Sequence, residues 1–455
     1  MSTTYAGTLH PEYELNIDNW QRVRNAVSGL VVEYLRNVGK TESDPAAQTE
    51  RQKSYVDGAV YYNFTERTLA GMQGSVYRTE PDIYLPPQLE YLLTNCDGND
   101  QGIVQQSQES VSEDIQLGRL GLFVDMPTNG DDTNLKQQED GALNPSILIY
   151  TAENIINWRT RKIGASNVLS MVVLREFYEY EDSENQYLSV VGTQYRTLSI
   201  NKDGYYEQKV ERLGDDSEIK ESYIVEPRAN GSRMDYIPFA FVGSENNDYT
   251  VDRAPLLALS NLNIAHYRNT ADNEEQLFTT AQAMLVLAPG ENMDPETWQK
   301  LNPNGVLFGA RRGLNVGAGG SAMLLQSNGD NSLSKAIQEK EEQAVKIGAQ
   351  LITPQQQQTA TAARIQQGAD TSVLASITNN VAEGYNKAIQ WCANYLAVTD
   401  EFTFKLNTEF FLNEMTAQDR QAWMADIQQG NVPRESYWAA LRKAGLTDKD
   451  DDTLT

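Results

Sequence analysis

Only two histidines, His10 and His266, occur in the 455 residues, and neither has a second histidine at helical or hairpin spacing. Zinc sites, Ser-His-Asp relays and Cys-His pairs each need an imidazole set against particular partners, so the pattern holds no carrier for these chemistries. His266 falls on the apolar side of a helical stretch, which reads as a packed or hydrogen-bonded histidine, with a catalytic one as the alternative. Cys96 and Cys392 are the only cysteines, and Cys392 also lies on an apolar helical face. Two buried, reduced thiols are the expectation, over a disulfide or metal pair.

The remaining motif-like strings are weak. No Gly-x-x-x-x-Gly-Lys-Ser/Thr segment occurs, which excludes a P-loop nucleotide site. The Gly-rich run Gly309-Ala-Arg-Arg-Gly313 to Gly320 could cradle a phosphate through its amides, but it lacks the lysine and the strand-loop-helix setting, so a loop is expected. Within it, Arg311 and Arg312 form the only adjacent arginine pair, either surface charge or a contact for a polyanion or a partner's carboxylates. Asp448 to Asp452 imitates the alternating acids of a calcium loop without its twelfth-position glutamate, and reads as an acidic tail. Among 63 acidic residues a carboxylate pair for hydrolysis has nothing to single it out.

The most regular pattern carries no catalytic residue type. Leu374, Ile377, Val381, Tyr385, Ala388, Cys392 and Tyr395 recur at steps of three and four, opposite Gln366, Gln367, Asn379, Asn380, Glu383, Lys387, Gln390 and Asn394, and predict a helix that packs on one side. Before it, Leu333, Ile337, Ala344, Ile347 and Leu351 make a thinner stripe beside Lys335, Glu339, Lys340, Glu341, Glu342 and Lys346, with Asn331 placed to cap the start. Thr353-Pro354 ends that helix, because proline disfavours helical geometry in the residue preceding it. Between the helices runs Gln355, Gln356, Gln357, Gln358 and Thr359, and residues 354–398 hold only four charges, Arg364, Asp370, Glu383 and Lys387. An ordinary helical hairpin with a Gln-rich connector accounts for the spacing by itself.

The length implies two to four structural units. Apolar content of 40% fits a folded chain, whereas 31 Gly, 15 Pro and a mean hydropathy of −0.54 imply much loop or exposed surface, as in an extended or ring-forming protein. No apolar run approaches the roughly 20 residues that span a bilayer, and the N-terminus lacks signal-peptide features, so residence in a cytoplasm is expected. A net charge of −26 argues against wrapping nucleic acid, which needs Lys and Arg against phosphates. Ten acidic side chains between Asp97 and Asp140 face only Arg119 and Lys136, a solvated surface or one that repels polyanions.

Along the chain, residues 10–120 read as mainly helical, with Trp20, Val23, Val27, Leu30, Val31 and Leu35 in one stripe. Short alternating runs from Ile147 to Val242 read as strands, and Asp203-Gly204 as a hairpin turn with both positions tolerant of positive φ. A long helix begins near Pro255 and runs through Leu256, Leu259, Leu262, His266 and Leu277. Strands at 283–287, 306–308 and 322–325 with a short helix at 294–298 form a small α/β insert before the helix at Asn331. A strand at 402–406 and helices from Thr416 and Pro433 complete an α+β chain.

This order of elements resembles the portal, or head-to-tail connector, proteins of tailed bacteriophages. Local strings carry the resemblance: His10-Pro11 with Trp20, Phe64-Thr-Glu-Arg-Thr-Leu-Ala-Gly71, Gly118-Arg-Leu-Gly-Leu-Phe-Val-Asp-Met-Pro127, Ile155-Ile-Asn-Trp-Arg-Thr-Arg161, Ala265-His-Tyr-Arg268 and Ser372-Val-Leu-Ala375. It implies a portal-like α+β subunit: a wing over 1–250, helical at 10–120 and β-rich at 145–245, stem helices at 251–282 and 331–352, and a small α/β clip at 283–330. A tunnel loop at 353–360, a long helix at 361–398 and a helical crown at 399–455 would follow. The expected function is a ring, usually of twelve copies, at one capsid vertex, conducting double-stranded DNA in packaging and ejection. Its partners would be itself, the DNA, the terminase, the major capsid protein and neck or adaptor proteins, with no membrane, no cofactor, no metal and no catalysis. It would reside in the virion after assembly in the host bacterial cytoplasm. On this resemblance Gln355 to Thr359 would line the tunnel, Lys335, Glu339, Lys340 and Lys346 would line the stem, and Arg311 and Arg312 would meet a partner at the clip. Another phage neck or tail structural protein, or a carboxylate-dependent hydrolase, are the alternatives.

Overall fold

The helical stripes before residue 118 become α1 (Pro11–Ser28), α2 (Pro45–Gly58), α3 (Phe64–Val76) and α4 (Ile103–Leu117), while a three-residue strand, β1 (Asp82–Tyr84), interrupts the helical reading. The computed structural model describes residues 6–41, 43–127, 144–181, 187–214, 218–229, 231–281, 284–288, 290, 294–301, 316, 318–325, 332–352, 372–410 and 417–443. Helix α1 stops at Ser28, followed by Gly29 at φ 79°, so Leu30 leaves the stripe assigned to it and is 70% exposed. Two compact units emerge: Met1–Arg24 with Thr65–Ser260 and Ile347–Thr455, and Asn25–Phe64 with Asn261–Lys346.

The period-two runs give the first unit most of its strands. They are β2 (Arg119–Asp125), β3 (Ser146–Thr151), β4 (Ile155–Ile163), β5 (Ser166–Glu181), β6 (Ser189–Ile200), β7 (Tyr206–Leu213), β8 (Ile219–Val225), β9 (Arg228–Ala229), β10 (Ser232–Arg233) and β11 (Phe239–Gly243). Strands β4 to β8 form an antiparallel meander in chain order. The turn before β7 departs from the expected geometry, because only Gly204 takes positive φ, at 89°. Asn201 does the rest: its Oδ1 accepts the Asp203 and Tyr205 amides, each at 3.0 Å, so a side chain closes the loop that two left-handed residues were expected to make.

A second sheet, ordered β11-β2-β3, is the core of this unit; every residue of β11 is buried, as is β2 from Arg119 to Val124. It is covered by α8 (Val373–Tyr395). Leu374, Ile377, Val381, Tyr385, Ala388 and Cys392 of its expected stripe are all buried, and Asn379, Glu383, Lys387, Gln390 and Asn394 are exposed. At about 25 cal/mol per Å² of apolar surface removed from water, such a stripe is the largest single source of stability available to the helix. Gly384 allows the approach: a Cβ there would stand 2.6 Å from Val242 Cγ2 and 3.2 Å from Leu122 Cδ1. The Tyr385 hydroxyl reaches Ser110 of α4 at 2.9 Å and donates to Gln106 at 3.2 Å. Far along the chain, β14 (Thr403–Lys405) pairs antiparallel with β1.

In the second unit, α5 (Leu257–Ala281) contributes its portion from Asn261 onward. Ala26, Val31, Ile264 and Tyr267 form a small buried cluster framed by Tyr34, Leu35, Ala59 and Tyr61. Side chains fasten α5 to the backbone of the 26–63 stretch: Asn263 donates to the Tyr62 carbonyl at 2.8 Å, Thr270 to Val60 at 2.8 Å and Arg268 to Tyr34 at 2.7 Å. Leu277, assigned to the apolar stripe, is 53% exposed.

Beyond α5 come β12 (Met284–Ala288), α6 (Pro295–Leu301) and β13 (Ser321–Leu325), then α7 (Ser332–Ile352). Asp294 caps α6 by accepting the Thr297 amide at 2.8 Å. The expected strand at 306–308 and the cap at Asn331 lie outside the described residues. Helices α9 (Ala417–Gln428) and α10 (Arg434–Lys443) close the chain, with Gly430 at φ 75° between them.

Candidate functional site

Strands β12 and β13 pair antiparallel in the register Met284↔Leu325 to Ala288↔Ser321. That register places Met284 and Leu325 at one end of the ladder. Along the chain the ladder lies between two long helices, α5 before it and α7 after it.

On α7 a buried residue, Ala344, and the half-buried Leu333, Ile337 and Ile347 mark the packed side. At about 100° per residue, Lys335, Glu339, Glu342 and Lys346 share the opposite stripe, and all four are exposed. Lys335 Nζ lies 3.9 Å from Glu339 Oε1 with both side chains largely in solvent, an exposed i, i+4 pair that contributes little to stability. Lys340 is separated from the other three expected residues: it lies beside the packed stripe and is half-buried. Glu342, a charged position of this helix that was not among the residues expected to line a channel, belongs to the exposed row, and the i, i+4, i+7, i+11 spacing from Lys335 is the signal for it. The row carries two cations and two anions, a striped surface without net charge. Arg311, Arg312 and Gln355 to Thr359 lie outside the described residues.

The histidines and cysteines are committed to packing. His266 is wholly buried, with Nε2 3.3 Å from Glu341 Oε1. His10 stacks on Trp158 with centroids 3.8 Å apart, and burial draws its pKa below the ordinary value. Cys96 and Cys392 are free, buried thiols, each pushed up to about 12 by burial, which keeps them protonated and unreactive.

Carboxylate clusters occur in the first unit, and donors occupy them. Glu176 accepts from Tyr150 at 2.5 Å, Gln194 at 2.5 Å and Arg196 at 2.6 Å. It borders an open cavity of about 480 Å³ shared with Asp97, Glu109, Arg175 and Phe177. Arg24 bridges Glu113 and Glu153, donating Nε to Glu153 at 2.7 Å. Carboxylates saturated in this way act as nodes of ion-pair networks that join strands and helices. In the second unit a cavity of about 720 Å³ lies between α2 and α5, with Tyr55 and Phe278 among its lining residues and an Arg51–Glu275 pair at 3.1 Å beside it. Among the described residues no group of three or more His, Cys, Asp or Glu side chains is placed to hold a metal. No helix among them is long and apolar enough to cross a membrane.

Residues 255–396 match a family described as a domain of unknown function, DUF4055. No curated protein matches the chain. Among the solved structures similar to it are three that share 12–13% identity with it. A chain from the virion of a native gene transfer agent particle has a TM-score of 0.40, covering 88% of this chain and 92% of that one. The neck of the empty particle, computed with C6 symmetry, gives 0.41, and the neck of the native particle, computed with C12 symmetry, gives 0.42; both cover 85% of this chain and 90% of the other.

Proposed function

We propose that this chain is the subunit of a portal-type ring in a tailed-phage-like particle, with α5 and α7 as its stem and the β12–α6–β13 segment as its clip. Double-stranded DNA would pass through the ring's centre, with the terminase, the capsid and neck proteins as neighbours and no chemistry performed on the DNA. The observation that carries the reading is the helix–ladder–helix device, an antiparallel β12–β13 ladder set in the chain between two long helices. The matched family segment runs from α5 to α8 and so contains that device whole.

Charge supports the same reading. A conduit must touch phosphates without holding them, since each Lys or Arg contact adds a salt-dependent attraction. The exposed row of α7 is balanced, residues 354–398 hold four charges, and the chain as a whole carries −26. The experiment is replacement of Gln355 to Gln358 with lysines, followed by DNA packaging in a reconstituted capsid system. Packaging that slows or stalls is the expected outcome; a wild-type rate with four lysines would sink the tunnel assignment.

A further inference from the structure

His266 is 0% exposed, yet the imidazole is only half satisfied. Nε2 faces Glu341 Oε1 at 3.3 Å, while Nδ1 has no hydrogen-bond partner among the described residues. The ring is flanked edge-on by Phe64, with centroids 4.9 Å apart, and by Tyr62, at 5.8 Å. Its partner is not buried with it, because the Glu341 side chain is 53% exposed. All four residues belong to the second unit. From α7 the charged groups facing the ring are Glu341 and Lys340. From the stretch leading into α3 the titratable neighbour is Tyr62. On α5 itself Asn263, Thr270 and Arg268 have backbone carbonyls as partners.

We propose that His266 and Glu341 form a proton-operated latch between α5 and α7, closed while the imidazole is neutral and loosened when it takes up a proton. In the neutral ring the proton sits on Nε2 and is donated to the carboxylate, leaving at Nδ1 a lone pair that tolerates burial poorly but carries no charge. Protonation adds an N–H at Nδ1 with no acceptor in reach and places a cation in an aromatic, dehydrated pocket. A half-exposed carboxylate on one side returns only part of that desolvation.

The balance of groups agrees: burial, the largest influence, lowers the His266 pKa from 6.5, Glu341 opposes it and Lys340 adds to it. A histidine whose folded value is lowered contributes its full stability above pH 6.5 and loses it as pH falls from there toward the folded value. Each unit of that displacement is about a tenfold change in the opening equilibrium. The latch does not rest on the ring reading, since both partners lie on one chain.

The test uses the full chain. Hydrogen exchange of the α7 segment 333–346, corrected for intrinsic rates, is compared at pH 7.5 and pH 5.5. Selective histidine labelling follows the two imidazoles by NMR, with His10→Gln assigning them. The wild type should exchange several-fold faster in this segment at pH 5.5, and His266 should titrate below 6.5. His266→Gln keeps a donor toward Glu341 and cannot titrate, so its exchange should not respond to pH. Glu341→Gln, a surface change that preserves folding, should move the His266 titration lower still. Equal wild-type protection at both pH values, an unchanged pH response in either variant, or a His266 titration at or above 6.5 would each overturn the latch.

Discussion

At the scale of single residues, the unusual features are charges placed where water cannot follow. Asp114, in the last turns of α4, is fully buried, and neither carboxylate oxygen has a hydrogen-bond partner among the described residues. Burial first, and then the charges of Asp252 and Glu113, hold its pKa well above 3.8. The group is therefore protonated in the folded chain over a pH range where the unfolded chain is ionised. Its raised folded value means that stability is greatest below 3.8 and declines as pH rises toward the folded value. Asp114→Asn removes the ionisation and should stabilise the protein at pH 7 by about 1–3 kcal/mol relative to wild type. The gain should shrink toward zero at pH 4, as read by urea denaturation, and an equal gain at both pH values would exclude this account. Arg119 is the complementary case. Its guanidinium lies 4.3 Å from the Trp158 ring centroid and 4.2 Å from that of Phe241, burial draws its pKa down to about 10, and Thr250 O accepts from Nη1 at 2.7 Å. Cation–π contacts here replace part of the hydration that burial removes.

At the scale of elements, α8 shows how far pattern alone reaches. Its apolar stripe was legible because a helix packed on one side repeats every three or four residues. Gly384, Ile389 and Trp391 lie outside that stripe and are buried nonetheless, because α8 meets both α4 and the β11-β2-β3 sheet and hides a broader face than one partner would require. Gly384→Ala tests this packing. Alanine favours an isolated helix by about 1 kcal/mol, but the added methyl would meet Val242, and overpacking of this kind typically destabilises by about 1–3 kcal/mol. A net loss in thermal stability is expected; a gain would show that α8 can move off the sheet. In α7 the apolar and charged positions were legible individually, and the structure places Lys335, Glu339 and Lys346 in one exposed row with Glu342, while Lys340 lies half-buried beside the packed stripe. The β1–β14 pairing had no local signal, since its partners lie more than 300 residues apart and a three-residue strand carries almost no periodicity. The Asn201 turn was read from its Asp-Gly pair, and the deciding atom belonged to a residue two positions earlier.

For the whole molecule, the chain's α+β composition was legible, because helical and strand periods occupy different stretches; the division into two discontinuous units was not, since each is assembled from segments distant in sequence. The ring reading makes a mass prediction. Purified protein examined by light scattering should contain a species of several hundred kilodaltons against a 50.9 kDa chain, and negative-stain images of it should show a central hole. A strictly monomeric mass across salt and protein concentrations would count decisively against a portal role.

The construction of the first unit also bears on how the chain is made. Leu122 and Val242 wait for Gly384, and Asp82–Tyr84 wait for Thr403–Lys405. During synthesis the β4–β8 meander can zip from neighbouring hairpins as it leaves the ribosome, because its contacts are local. The β11-β2-β3 sheet has no such freedom: its α8 cover is translated more than a hundred residues after β11. For that interval nascent chains on one polysome carry an open apolar sheet face beside their siblings, the condition under which partly folded chains associate wrongly. Slower translation through residues 244–372 lengthens that exposure and is expected to lower the yield of folded protein, which expression with slow codons in this stretch would check.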